Sequence, residues 1–401
     1  MGLLSIFAAA FAVAGDQARL RLLTLGLVAL FAGTRVGPGA RAATPAQVYS
    51  DGDPLAEEQY MLQLVNRARA NPAAEAALYG IDLNEGLSPG TITTNAKPPL
   101  AFNLHLLASA RGHSLWMLTN GVFSHYETNS LGSVLDPGDR MAAAGYIFSG
   151  ASAGGENIAW DGTTGPPPSV APTLESEEED LFVDSSEPGR GHRLNILDAT
   201  FLEIGIGVET GVFAQEGVDY NAVMTTQDFA ESEASPGPFL VGVVYRDNDR
   251  TGFYGVGEGS AGVTVTPAGG TYYAVTSTSG GYAIPLTDLS GTLLVTFSGG
   301  PLTVPITKLV TLAGVNVSLD FELNEDSAPV TFVNGSARFA NQGQFGFDVQ
   351  GPASATVIVQ ASPDLTTWTT IGQVTLVGGS GHFTDTPPSR TARRFYRVVG
   401  Q

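Results

Sequence analysis

Helical periodicity is confined to the first part of this chain, and that confinement limits its fold more than any other feature. Met61, Leu64, Val65 and Ala68 fall at i, i+3, i+4 and i+7, the apolar stripe of one helix face. Asp53-Pro54 ahead of them offers a capping residue and a proline for the first helical position. A second helix is predicted over about 103–119, with Leu104, Leu107, Ala108, Leu115 and Leu118 on one face. A third covers the acidic stretch 174–182, and short β-rich runs follow at 204–208 and 221–226. Helices and strands mixed in this way predict an α+β domain over 44–230. Residues 231–238, Glu-Ser-Glu-Ala-Ser-Pro-Gly-Pro, read as a linker. Beyond it the helical pattern is gone. Short β-branched runs alternate with Gly, Ser and Thr turns over 239–325, the pattern of a small β-sandwich. A break at 324–329 leads to a second all-β stretch, 329–401.

Composition narrows the function classes. The chain has no cysteine, which excludes disulfides, thiolate nucleophiles, iron–sulfur clusters and thiolate zinc sites. It carries 19 basic and 39 acidic residues, a net charge of −20, and no basic patch. Such a chain does not wrap a nucleic-acid backbone, and it attracts divalent cations. Arg19 and Arg21 precede an apolar run at 22–32, and Ala40-Arg41-Ala42 follows with small residues at the positions a signal peptidase reads. This predicts an export signal over 1–42, a mature start near Ala43 and a secreted, extracellular protein. The run is too short for a stable membrane span, which needs about 20 apolar residues. An earlier apolar stretch, 3–14, is cut off by Gly15-Asp16-Gln17 and is read as an upstream start rather than an anchor.

The chemistry-bearing residues of the first domain come in ordered pieces. These are Leu64-Val65-Asn66-Arg67-Ala68-Arg69, Phe123-Ser124-His125-Tyr126, Gly155-Glu156-Asn157-Ile158-Ala159, Arg190-Gly191-His192-Arg193-Leu194-Asn195-Ile196-Leu197 and Phe201-Leu202-Glu203-Ile204-Gly205-Ile206-Gly207-Val208. In order and spacing they resemble the CAP superfamily (SCP-like domains of cysteine-rich secretory proteins, antigen 5 and pathogenesis-related proteins), in its bacterial secreted branch. The likeness covers roughly residues 55–230. It implies an α-β-α sandwich with a central cleft, where two histidines and two acids can hold a divalent cation, often zinc. His125, Glu156 and His192 match. For the second acid Asp184 is the first choice, since it follows Phe182 near the family's Trp position; Glu178 and Glu179 are alternatives. The family's paired cysteines are absent.

Read by themselves, two imidazoles and a carboxylate make a sound zinc set with a position left for water. The other histidines carry less. His105 and His113, eight apart on the second helix, read as structural or surface residues, and His382 as solvated in a Gly/Ser turn. The acidic run 175–180 reads as a solvated helix face. No Gly-x-Ser-x-Gly or His-Glu-x-x-His motif occurs, and Ser124, Ser185 and Ser186 near the histidines do not make a serine hydrolase.

Residues 247–258 place acids at loop positions 1 and 3 (Asp247, Asp249), Thr251 at 5, Gly252 at 6, the Phe253 carbonyl at 7 and Glu258 at 12. That is the oxygen-ligand spacing of a calcium loop. Without flanking helices it resembles the Asp-rich loop of B-type repeat domains, a prealbumin-like sandwich, and it predicts a structural calcium ion. In the last unit Trp368 reads as core. The CAP resemblance, with the export signal, implies an extracellular binding protein whose cleft accepts a small apolar or lipid-like ligand or a surface component. The alternatives are a metal-dependent hydrolase using the same cleft and a multidomain adhesin.

Overall fold

The computed structural model describes residues 47–129, 131–287, 289–323, 330–339, 344–352, 355–386 and 394–400. The expected export signal and the break at 324–329 lie outside the described residues. Among the described residues the chain is of mixed α/β class, with β-sandwich-like sheets after the helical part. No described helix is long and apolar enough to cross a membrane.

Strand β1 (Gln47–Val48) is followed by helices α1 (Ala56–Ala70) and α2 (Pro72–Leu78). Helix α1 begins later than the Asp53-Pro54 signal suggested. Asp53 sits at φ 59, in the left-handed region, so it cannot cap, and the buried Glu58 accepts the Leu55 N–H instead. The stripe Met61, Leu64, Val65 and Ala68 is buried in the main core. After β2 (Ala101–Phe102), helix α3 (Leu104–Asn120) is capped by the Asn103 side chain and stops at Gly121, φ 62. Its buried face differs from the expected one. Leu104 and Leu115 are exposed, whereas Leu106, Leu107, Ala110, His113, Ser114, Met117 and Leu118 are buried. The cause is two glycines. A Cβ on Gly205 would come within 2.0 Å of the α3 backbone at Leu106, and one on Gly207 within 2.4 Å at Ala110. The helix backbone therefore lies directly on the sheet at the two glycines, which turns Leu106, Leu107 and Leu118 inward and leaves Leu104 and Leu115 on the solvent side.

A two-stranded hairpin, β3 (Glu127–Thr128) and β4 (Val134–Leu135), leads to helix α4 (Pro137–Ala143) and the long strand β5 (Ser152–Thr163). Helices α5 (Val170–Val183) and α6 (Gly191–Leu197) precede β6 (Glu203–Gln215) and β7 (Val218–Ser232). The sheet runs β2-β6-β7-β5, parallel only between β2 and β6. Because side chains alternate along β6, Gly205 and Gly207 meet α3 on one face while Ile204, Ile206 and Val208 join α1, α5 and α6 residues in the core on the other.

The acidic run does not form a solvated face. Leu174, Glu177, Glu178, Leu181 and Phe182 make one continuous helical stripe, and the whole stripe is buried on the sheet. Thr225 Oγ1 donates to Glu177 at 2.5 Å and Gln227 Nε2 to Glu178 at 2.9 Å. Burial pushes both carboxyls up to about 8, so at neutral pH they are mainly protonated and the expected repulsion is removed by protonation rather than by solvent.

The stretch 231–238 is not an open spacer. Ser232 ends β7 and is buried, and its hydroxyl donates to the Ile147 carbonyl. Strand β8 (Phe239–Tyr245) follows at once, and its Val243 and Tyr245, with Tyr254 beyond, belong to the same core as Met61 and Leu64. The buried Asn316 accepts the Phe239 N–H and donates to the carbonyls of Pro99 and Leu202.

The β part comprises β9 (Val263–Pro267), β10 (Tyr272–Val275), β11 (Gly281–Pro285), β12 (Gly291–Gly299), β13 (Ile306–Leu312), β14 (Val317–Ser318) and β15 (Phe321–Glu322). One sheet runs β1-β10-β9-β12-β13, so the residues at 47–48, expected with the helical domain, pair with the β part instead. The other runs β11-β8-β14, with β15 on β8, and Val263, Val265, Phe297 and Phe321 fill the core between them. The last stretch has β16 (Thr331–Phe332), β17 (Arg338–Phe339), β18 (Phe345–Gln350), β19 (Thr356–Ser362), β20 (Thr369–Thr375), β21 (Ser380–Asp385) and β22 (Phe395–Gly400) around Phe347, Val349, Val357 and Val359. Two expectations fail there. Trp368 is not core: it is partly exposed, with the Arg397 guanidinium 4.4 Å from its ring centre. His382 is not in a turn: it lies on β21, where its Nδ1 is bonded to Asp348.

Candidate functional site

Three elements bring the expected cleft residues together. The turn after α3 carries His125, the start of β5 carries Glu156, and α6 carries His192. The imidazoles of His125 and His192 face each other with centroids 6.4 Å apart and planes 30° from parallel. Each is held from behind by an acid. His125 Nδ1 donates to Glu156 Oε1 at 2.8 Å, and His192 Nδ1 to Asp184 Oδ1 at 2.8 Å. A proton committed to Nδ1 leaves the lone pair on Nε2, so both rings turn a ligating nitrogen away from their acids. The side chains of His125 and His192 are 40% and 21% exposed, so the cleft is open to solvent, while those of Glu156 and Asp184 are buried. The two acids expected as ligands thus stand behind the imidazoles. Of the alternatives, Glu178 is buried against Gln227 and Glu179 is exposed.

Asp184 reaches this position because the chain reverses there. It ends α5 at φ 52, and its Oδ2 accepts the N–H of His192 at 2.9 Å, holding the first turn of α6. Two buried arginines then fix α6 from both sides. Arg69 donates to the carbonyls of Pro98, Ile196, Asp198 and Phe201. Arg193 donates to those of Leu83, Glu85, Phe182 and Val183. Neither side chain has a carboxylate among these partners; each guanidinium ties loops together by its planar fork, in a chain with no disulfide to do so. Desolvation lowers Arg69 to about 9, which leaves it charged at neutral pH. On the β5 side, Asn157 Nδ2 donates to the His192 carbonyl at 3.3 Å and to Gln227 at 3.0 Å, and Asn195 Nδ2 donates to Asn157 at 2.9 Å.

Below Glu156 lies a polar cluster the sequence reading missed. Arg140 is bonded to Glu156 Oε2 and to the His125 carbonyl, and it lies 3.5 Å from Glu127. His113, completely buried, bonds Glu127 through Nδ1 at 2.7 Å and points Nε2 toward Glu156 at 3.9 Å. Burial lowers the His113 pKa, and the neighbouring Arg140 does the same. Burial, then the Glu156 charge, pushes the fully enclosed Asp228 well above the carboxylate range. Burial alone would raise Glu156 too, but the His125 hydrogen bond, His113 and Arg140 together leave it below its ordinary value. Around the imidazoles the carboxylates of Glu127, Glu156 and Asp184 are matched by the guanidiniums of Arg140, Arg190 and Arg193, so a cation would be held by the imidazole nitrogens rather than by a surplus of negative charge. The sequence did hold a signal for His113, because 106, 110, 113 and 117 form a helical stripe. It was hidden by expecting the leucines to mark the buried face.

The donor set suits a divalent cation of the zinc type: two neutral imidazoles with outward lone pairs, backed by carboxylates, and room for exogenous ligands. Two imidazoles on one tetrahedral ion have centroids roughly 5 Å apart, so the rings would close by about an ångström to share it. Neither acid is free to act as a base, and the Ser124 hydroxyl is engaged with the Tyr126 N–H.

In the second loop the carboxylate oxygens of Asp247, Asp249 and Glu258 lie within 4.8 Å of one another. Asp247 accepts the N–H groups of Arg250, Thr251 and Gly252, and Glu258 those of Asn248 and Gly255. Thr251 and the Phe253 carbonyl are bonded to each other at 3.1 Å. Phe253 also packs edge-on against Tyr60 of α1, and Tyr254 enters the main core, so this loop is anchored to the helical part.

No family model and no curated protein matches this chain. Among solved structures it is similar to a Bacteroides uniformis protein proposed to bind carbohydrate, at 14% identity over 41% of this chain and 80% of that one. The TM-score is 0.16.

Proposed function

We propose that this chain is a secreted CAP-like binding protein that holds a zinc-type cation between His125 and His192 and offers it, in an open cleft, to a small apolar or lipid-like ligand or to a component of an extracellular surface. One observation carries the reading: two facing imidazoles, each with Nδ1 engaged by a buried carboxylate and Nε2 free for a metal. Binding is favoured over hydrolysis because, with the cation held, both acids are engaged by the histidines and both Nε2 atoms by the metal, which leaves none of these four groups as a general base. A calcium ion ringed by Asp247, Asp249 and Glu258 would serve structure rather than chemistry, bracing the loop that carries Phe253 and Tyr254.

Native mass spectrometry of the secreted protein, equilibrated with zinc and then desalted, tests the reading. One zinc per chain is expected, lost in the His125→Ala/His192→Ala double variant, together with any co-purified lipid. A double variant that keeps the same zinc would overturn the assignment. Zinc-dependent cleavage of peptide, ester or wall fragments, abolished by His192→Ala, would establish the hydrolase instead.

A further inference from the structure

Among the described residues strand β5 is an edge strand, bonded to β7 on one side with no strand on the other. Five consecutive residues of it, 152–156, line a groove of about 460 Å³ that leads to Glu156 and is walled by Tyr126, Pro137, Met141 and Phe148. Asn195 donates to the Glu156 carbonyl from the side away from β7, which sets the direction of that peptide. Alternation by two then turns the N–H and C=O of Ser152 and Gly154 outward as well, along the groove's margin. No hydrogen bond is made to these groups on that side by any described residue. At 154 and 155 no side chain shields the edge. Both glycines also sit in close packing: a Cβ on Gly154 would meet the Phe148 ring at 3.3 Å, and one on Gly155 would meet the Asn195 side-chain oxygen at 2.9 Å.

We propose that this groove captures an extended polypeptide by strand addition to the free edge of β5 at Ser152–Glu156, next to His125. A row of main-chain donors and acceptors beside an apolar wall recognises the backbone of an extended chain, and the alternate side chains find the pockets. Glu156 is buried and paired with Arg140, which leaves the exposed Asp136 as the free charge in the groove's lining, so the captured segment carries a basic side chain opposite it. The inference rests on reading the cleft as a binding face, and it narrows the partner to a polypeptide. It does not need the cation.

The test is titration of the ¹⁵N-labelled full chain with Ac-Val-Lys-Val-Lys-Val-amide, in zinc and again in chelator. The amides of Gly154 and Gly155 are expected to shift in both. A copy of the peptide with alternate backbone nitrogens methylated should bind at least about tenfold more weakly, because each lost main-chain hydrogen bond leaves a donor or acceptor unpaired. The Val-Glu-Val-Glu-Val peptide should also bind more weakly, by charge repulsion. Gly154→Pro, which removes the outward N–H, should reduce binding of the parent peptide. No shift at the groove, or equal binding of the methylated peptide, would overturn the proposal even if the chain holds zinc. Shifts in zinc and chelator alike would support it even if the metal reading failed.

Discussion

Replacing Glu178 by Gln should shift the stability of the chain upward, relative to the parent, as pH rises. Glu178 is completely buried, and one oxygen accepts from Gln227 Nε2 at 2.9 Å. Burial raises its carboxyl from 4.5 to about 8. The folded state therefore keeps a proton that the unfolded chain gives up above pH 4.5. The favourable contribution is complete below that value, falls as pH rises, and is exhausted at about pH 8. At about 1.4 kcal/mol per pH unit, holding the proton at pH 7 costs on the order of 3 kcal/mol relative to pH 4.5. Glutamine retains an acceptor for Gln227 and never titrates. Relative to the parent it should thus gain about 3 kcal/mol between pH 4.5 and pH 7, offset by a pH-independent cost because the Glu178 oxygen without a partner becomes an unpaired amide N–H. Urea unfolding reports this when followed through Trp116 and Trp160, which pack against the small core of Met117, Phe213 and Met224. A Trp368→Phe background removes the third tryptophan. The difference between parent and variant isolates Glu178 from His113 and Glu156, whose shifts run the other way. A difference that stays flat from pH 5 to 8 would refute a buried, proton-holding Glu178.

Further outcomes follow from the same geometry. Asp184→Asn should weaken zinc binding roughly ten- to a hundredfold in a titration, because the carboxylate that fixes the His192 ring is lost. Zinc affinity should also fall as the solution is acidified, since a protonated imidazole has no lone pair to give; a flat profile by calorimetry would point away from the histidines. Arg193→Met should lower stability by about 3 kcal/mol or more, leaving four buried or part-buried carbonyls without their donor, and thermal melting would register it. Removing calcium from the full chain should lower its melting point, and Glu258→Gln should blunt that response; the loss is about 2.7 kcal/mol where the ion stands a hundredfold above its dissociation constant. An identical calcium response in the variant would reduce the 247–258 loop to a charged turn.

The order of elements was legible in the sequence because it depends on local periodicity. The stripe at 61, 64, 65 and 68 and the β-branched runs after 238 declare their structure within a few residues. The same rule, applied to 174, 177, 178, 181 and 182, already placed Glu177 and Glu178 on the buried stripe of α5; a preference for solvated carboxylates obscured it. His125, Glu156, His192 and Asp184 could be named in advance because short motifs carry them. Which acid backs which histidine could not, since that depends on a left-handed residue at 184 and on the pairing of β5 with β7. The sequence by itself settled where helix gives way to strand, the lack of any disulfide and the residues available for a site. Tertiary structure alone decided that α3 lies on Gly205 and Gly207 and leaves Leu104 and Leu115 in solvent, that His113, Arg140 and Asp228 gather beneath Glu156, and that β8 shares a core with α1. These depend on contacts between different elements, from 14 positions apart for His113 and Glu127 to far more for α1 and β8, which no local pattern encodes, and burial at those contacts sets the protonation of the groups involved.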